Sequence, residues 1–161
     1  MSRVRTSRVA ERRELSFDSL DDILVDVQHL GAGGEPRSTG SWSPGQNVQH
    51  LARLMHLSID GFGGRRLPKP VQLLIRLVMK NRIMQKGMKP GVNPPRKFDI
   101  MMPDPVVAWE EGVAGLREGI ERLKAERAEA ESPVLGRLTH EEWITLHLRH
   151  AEMHLSFLHS A

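Results

Sequence analysis

The chain has eight histidines and no cysteine. Imidazole and carboxylate are therefore its remaining strong side-chain metal ligands. Disulfides, iron–sulfur ligation, thiolate zinc sites and a cysteine nucleophile are all excluded. Three histidines share one stripe near the carboxyl terminus. Helical residues advance by about 100° each. With Trp143 taken as zero, His147 falls near ~40°, His150 near ~−20° and His154 near ~20°. Leu146, Phe157 and Leu158 flank the stripe, and Arg149, Glu152 and Ser156 lie opposite; Glu152, roughly 160° from the stripe centre, is expected to be exposed. A lone histidine on an apolar face is ordinarily a hydrogen-bonded core residue. Three along one buried stripe are penalised unless their nitrogens find partners, and a metal ion is such a partner. His150 and His154 stand at i,i+4, where two rings converge on one ion.

The third ligand comes from an earlier helix. His50 lies on the rim of that helix's apolar face, whereas His56 points with Gln49, Arg53 and Asp60 to its polar side and reads as solvated. His50, His150 and His154 thus form a candidate three-histidine metal site between two facing helices. The segment His150-Ala-Glu-Met-His154 is H-x-E-x-H and not the zinc-protease H-E-x-x-H, so Glu152 cannot serve as that motif's base.

The elements that carry these residues are helical. A first helix is expected from about Phe17 to Leu30, capped by Ser16 or Ser19, with Leu20, Ile23, Leu24 and Val27 inward. A second starts at Ser43-Pro44-Gly45-Gln46, a capping box with proline at N1, and ends at Gly61. A short helix is expected over Val71–Met84, inside a proline- and glycine-rich connection covering roughly residues 65–100. Asp104 as cap and Pro105 as first residue predict a third long helix to about Glu129, with Glu118 and Arg122 paired. Thr139 and Glu142 form another capping box, opening a last helix that runs to the carboxyl terminus. No strand is expected. The sum is an all-α four-helix bundle with an extra short helix between its second and third helices.

One domain accounts for 161 residues. The net charge is +3, and residues 1–13 alone carry five arginines against one glutamate. The basic character is therefore assigned to a flexible arm, residues 1–13, ahead of a single domain over 14–161. The arm is the one feature that favours a nucleic-acid partner, and aromatics at 4% with no basic recognition helix argue against one. No apolar run spans a membrane and no apolar signal core stands at the amino terminus. A cytoplasmic protein without a membrane partner is the expectation.

The sequence resembles the DinB/YfiT-like superfamily of metal-dependent enzymes, and within it a branch defined as a domain of unknown function. The resemblance rests on Trp42-Ser43-Pro44-Gly45-Gln46 leading to His50-Leu51-Ala52, on Ser58-Ile59-Asp60-Gly61, and on Trp143, Leu146, His147 and His150-Ala-Glu-Met-His154-Leu155. It covers the chain from about residue 14 onward. It implies an up-down-down-up bundle, a divalent metal (zinc, nickel or iron) on His50, His150 and His154, and a homodimer. In some branches of that superfamily a low-molecular-weight thiol assists transfer or isomerisation.

Three neutral imidazoles leave an open coordination position, the arrangement of catalytic sites. Two chemistries suit it: hydrolysis through activated water, or attack by a thiol deprotonated at the metal, on a small-molecule substrate. His147, one turn before His150, is the candidate proton carrier. A buried, hydrogen-bonded core histidine is the equal alternative for it. Trp42 and Trp143 read as core anchors, and Gln46 as a cap. The alternative for the whole chain is a non-catalytic metal- or small-molecule-binding bundle.

Overall fold

A computed structural model describes residues 9–91 and 96–161. The fold is all-α, with a single two-stranded ribbon among the described residues. The helices are α1 (Leu20–Gly31), α2 (Pro44–Asp60), α3 (Lys69–Lys86), α4 (Trp109–Ala125) and α5 (His140–Leu155). A 3-10 segment, Arg96–Met101, lies between α3 and α4. Strands β1 (Arg37–Ser38) and β2 (Leu158–His159) pair antiparallel. The expected last helix therefore stops at Leu155, and the chain turns through Ser156 into this ribbon.

Three helix starts follow from local chemistry. Ser19 with Asp22, Ser43 with Gln46 and Thr139 with Glu142 each close a capping box, satisfying two otherwise unpaired backbone donors. The third long helix starts later than the sequence predicts. It begins at Trp109 behind Ala108, which gives no side-chain cap. Asp104 is engaged elsewhere: its carboxylate accepts from Gln49 at 2.9 Å and pairs with Arg53 at 2.7 Å. Gln46 holds the carbonyls of Asp104 and Pro105 from the same helix, α2. Residues 104–105 are thus strapped along α2. Arg122 likewise pairs with Asp60 and Glu126, in place of the expected Glu118.

α2 and α4 pack with little side chain between them. A Cβ on Gly112 would stand 2.7 Å from the Gly45 carbonyl oxygen and 2.5 Å from a methyl of Val48. The core is filled by Ile23, Leu51, Met55, Leu116, Ile120, Trp143 and Leu155, all essentially inaccessible to solvent. Trp143 donates its indole N–H to the Ala130 carbonyl and stacks on Phe62.

Two expectations about the surface change. α3 is not short: at 18 residues it is the longest helix described. Basic character is also not confined to the amino terminus, because residues 61–98 hold ten lysines and arginines and no carboxylate. Of the arm assigned to residues 1–13, Arg3, Arg5 and Arg8 lie outside the described residues, as do Pro94 and Pro95 of the long connection. Arg12 and Arg13 are anchored. Arg13 forks onto Asp26, both bonds at 2.7 Å, and also donates to the carbonyls of Leu155 and Leu158. Arg12 donates to Ser156 Oγ and lies 4.8 Å over the Phe157 ring. This amino-terminal segment covers the back of α5. Glu152 is consequently enclosed and not exposed: it accepts from the Phe17 amide at 2.8 Å and pairs with Arg149.

Candidate metal centre

His50 comes from the middle of α2, and His150 and His154 come from successive turns of α5. One ring nitrogen from each lies within 4.8 Å of the other two. The ring centroids are 4.5 to 5.0 Å apart in edge-to-face arrangements. Nε2 of His50 and Nε2 of His150 approach to 3.3 Å.

The backbone and one amide fix two of the three rings. His50 Nδ1 donates to the Met101 carbonyl at 2.6 Å, so its Nε2 carries the free lone pair. That carbonyl is held in reach by Gln49 and Arg53, one turn apart on α2. Arg53 donates to the Met102 carbonyl and pairs with Asp104, while Gln49 both donates to Asp104 and accepts its amide N–H. His154 Nδ1 lies 3.2 Å from Asn47 Oδ1. The other end of that amide donates to the carbonyls of Trp42 and Ser43. Oδ1 must therefore face the histidine, whose Nδ1 is the protonated nitrogen and whose Nε2 is free. An imidazole that donates its outer N–H to an oxygen while its inner nitrogen stays open is the usual state of a histidine ligand.

Burial keeps the cluster neutral. It pushes His50 down to about 4, partly offset by the Met101 carbonyl, with Arg53 lowering it further. Burial also pushes His150 and His154 well below the usual imidazole range. The neighbouring rings reinforce the shift at both, and the Arg12 charge adds to it at His154. His150 Nδ1 is buried with no hydrogen-bond partner among the described residues. Three neutral imidazoles, two of them with the tautomer fixed by an outer hydrogen bond, form a donor set suited to a borderline divalent cation.

Trp42, expected as a core anchor, is instead a wall of this site. It is half-buried, stacks on His154 at 5.3 Å with the rings 7° apart, and tilts over His50 at 4.8 Å. Asn47 is legible from its spacing, one turn before His50 on the same helix; the Met101 carbonyl leaves no signal in the sequence. His147 is brought near but not into the group. Its Nε2 lies 3.0 Å from Ser58 Oγ, and that hydroxyl donates to the Met55 carbonyl. Nε2 of His147 is therefore the donor. The ring stacks on Trp143, and burial lowers it to about 3. His56 is half-buried and accepts from Arg122, and Gln46 faces residues 104–105 and not the histidines. A surface cleft beside Phe62, Arg65 and Glu131 lies beyond the far end of α2 and contains none of these residues.

Neither a curated protein nor a solved structure matches the chain. A family model described as a protein of unknown function (DUF1569) matches residues 9–161. With nearly its whole length matched, the chain belongs to the DUF1569 family.

Proposed function

We propose that this chain is a divalent-metal-dependent enzyme of the DinB/YfiT-like type. In this reading α1, α2, α4 and α5 are the four helices of an up-down-down-up bundle and α3 is the extra element. His50, His150 and His154 would hold the metal, and the position left open would take water or a low-molecular-weight thiol. Such an ion lowers the pKa of bound water or thiol and supplies a nucleophile for hydrolysis or transfer on a small-molecule substrate.

The observation that carries the reading is the pair of outer hydrogen bonds, His50 to Met101 and His154 to Asn47, which leave both Nε2 lone pairs open toward one place. The chain's residues divide the remaining work. Trp42 closes one side and limits water there. Arg12 and Arg53 bring positive charge to bear on the histidines, which favours an anionic ligand, thiolate or carboxylate, over a cationic one. His147, pinned to Ser58 and kept neutral, fits a role in positioning α5 against α2 more than in carrying protons.

The test is metal content by plasma mass spectrometry on untagged protein, beside His50→Ala, His150→Ala and His154→Ala. About one equivalent of zinc, nickel or iron is expected, lost in each variant while helical circular dichroism is kept. A parent that stays metal-free after incubation with each ion overturns the reading. Metal binding without turnover across thiol-transfer and hydrolytic substrates would leave a non-catalytic metal-binding protein.

A further inference from the structure

Helix α3 is turned inside out. Its polar side chains tie it to the body of the protein: Gln72 donates to the Ser132 and Pro133 carbonyls, Arg76 to those of Leu135 and Arg137, and Lys80 pairs with Glu142. Only Ile75, Ile83 and Met84 add apolar contact with the core from this helix. Its large aliphatic side chains point outward. Leu74 is 63% exposed, Leu77 72% and Val78 67%, with Val71 and Leu73 beside them. Taking Leu74 as zero, Val71 lies near ~60°, Val78 near ~40° and Leu77 near ~−60°, one continuous stripe. Arg82 and Lys86 border the stripe, near ~80° and ~120°, and both are exposed. This stretch of the chain carries charge of one sign, ten lysines and arginines and no carboxylate from Gly61 to Phe98; the acids that meet it, Glu142 at Lys80 and Glu131 at Arg66, come from the body of the protein.

Water is a poor environment for such a stripe. A second copy docked through the same face would bring two wholly cationic segments together, because a two-fold contact sets each patch against itself. An anionic lipid surface meets both properties at once: aliphatic side chains enter the headgroup–acyl boundary while flanking lysines and arginines meet the phosphates. No described helix is long and apolar enough to cross a membrane, and an interfacial helix does not need to. We propose that α3 is a docking surface for an anionic bilayer, lying in the plane of its headgroups with Leu74, Leu77 and Val78 inserted.

The test is co-sedimentation of the full chain with vesicles of phosphatidylcholine alone and of phosphatidylcholine mixed equally with phosphatidylglycerol. Partition into the anionic vesicles is expected, with little into the neutral ones, and it should weaken as salt is raised. Leu74→Glu/Leu77→Glu should reduce it by at least about tenfold, and Arg82→Glu/Lys86→Glu by a similar factor. All four side chains are exposed, so helical circular dichroism should not change. Failure to bind anionic vesicles overturns the proposal, as does binding that both double variants retain. It is also overturned if sedimentation velocity shows a dimer that Leu74→Glu/Leu77→Glu dissolves while vesicle binding is absent.

Discussion

Asn47 Oδ1 faces His154 Nδ1 at 3.2 Å, and the Asn47 amide cannot turn over without breaking its bonds to the Trp42 and Ser43 carbonyls. The first turn of α2 therefore fixes which nitrogen of a histidine on α5 is free. Asn47→Ala removes this constraint and leaves all three histidines proposed to hold the metal in place. Metal affinity should fall by roughly 10–100-fold, the usual effect of losing an outer-shell partner. Titration of the metal-free protein against a chromophoric chelator would measure it. Unchanged affinity would mean that the hydrogen bond does not orient the ring.

A parallel argument applies to His50. Its partner is a backbone carbonyl, which no substitution removes directly, but Arg53 holds the segment that carries it through the Met102 carbonyl and Asp104. Arg53→Ala should release residues 101–104 and weaken metal binding by about tenfold. The fold should be little affected, because exposed ion pairs contribute little to stability. The informative comparison is the ratio of metal affinity to thermal shift. A variant that loses both in proportion would point to general loosening and not to a misplaced carbonyl.

Much of this was legible in the sequence where the cause is local. Ser43 with Gln46 and Thr139 with Glu142 are capping boxes whose partners lie three residues away. The Trp143–His154 stripe follows from helical periodicity alone, and with His50 it gave the cluster that the fold brings together. What stayed hidden depends on other elements. Asp104 has the type and position of a helix cap, yet Gln49 and Arg53 on α2 take its carboxylate. Glu152 projects away from the core stripe and would be solvated had residues 12–17 not folded across it. α3 defeats the usual reading because its buried side is held by Gln72, Arg76 and Lys80, so the aliphatic residues mark the outer face.

His147 makes stability depend on acidity. Its folded value, about 3, lies below the ordinary 6.5 because burial disfavours the charged ring. In acid the unfolded chain takes up a proton that the folded chain refuses. The stability is complete above about pH 6.5 and is lost progressively as pH falls toward about 3. At pH 4.5 the loss from this ring is about 2–3 kcal/mol. His147→Gln keeps an N–H for Ser58 and cannot charge. Metal-free parent and variant should therefore differ at pH 7.5 by an amount that shrinks or reverses at pH 4.5, as read by scanning calorimetry. A constant difference would mean the ring is charged, or accessible, in the folded protein.

Two glycines one turn apart on α4 should respond oppositely to the same substitution. At Gly112 an added methyl meets the Gly45 carbonyl oxygen at 2.7 Å, a backbone atom at the start of α2 that cannot swing aside. Gly112→Ala must push the helices apart beside Asn47 and His50, costing about 1–3 kcal/mol. At Gly115 the nearest atom is the Ala52 methyl at 3.7 Å, an ordinary contact. There alanine removes the conformational freedom glycine has in the unfolded chain and improves helix propensity, for a gain of roughly 0.5–1 kcal/mol. For a chain this size each kcal/mol moves Tm by about 2–4 °C, so the two variants should fall on opposite sides of the parent. Because the Gly112 contact also sets the spacing of α2 from α4, Gly112→Ala should lower metal affinity while Gly115→Ala leaves it unchanged. If both variants stabilise the protein, the close approach of α2 and α4 is not a constraint on the site.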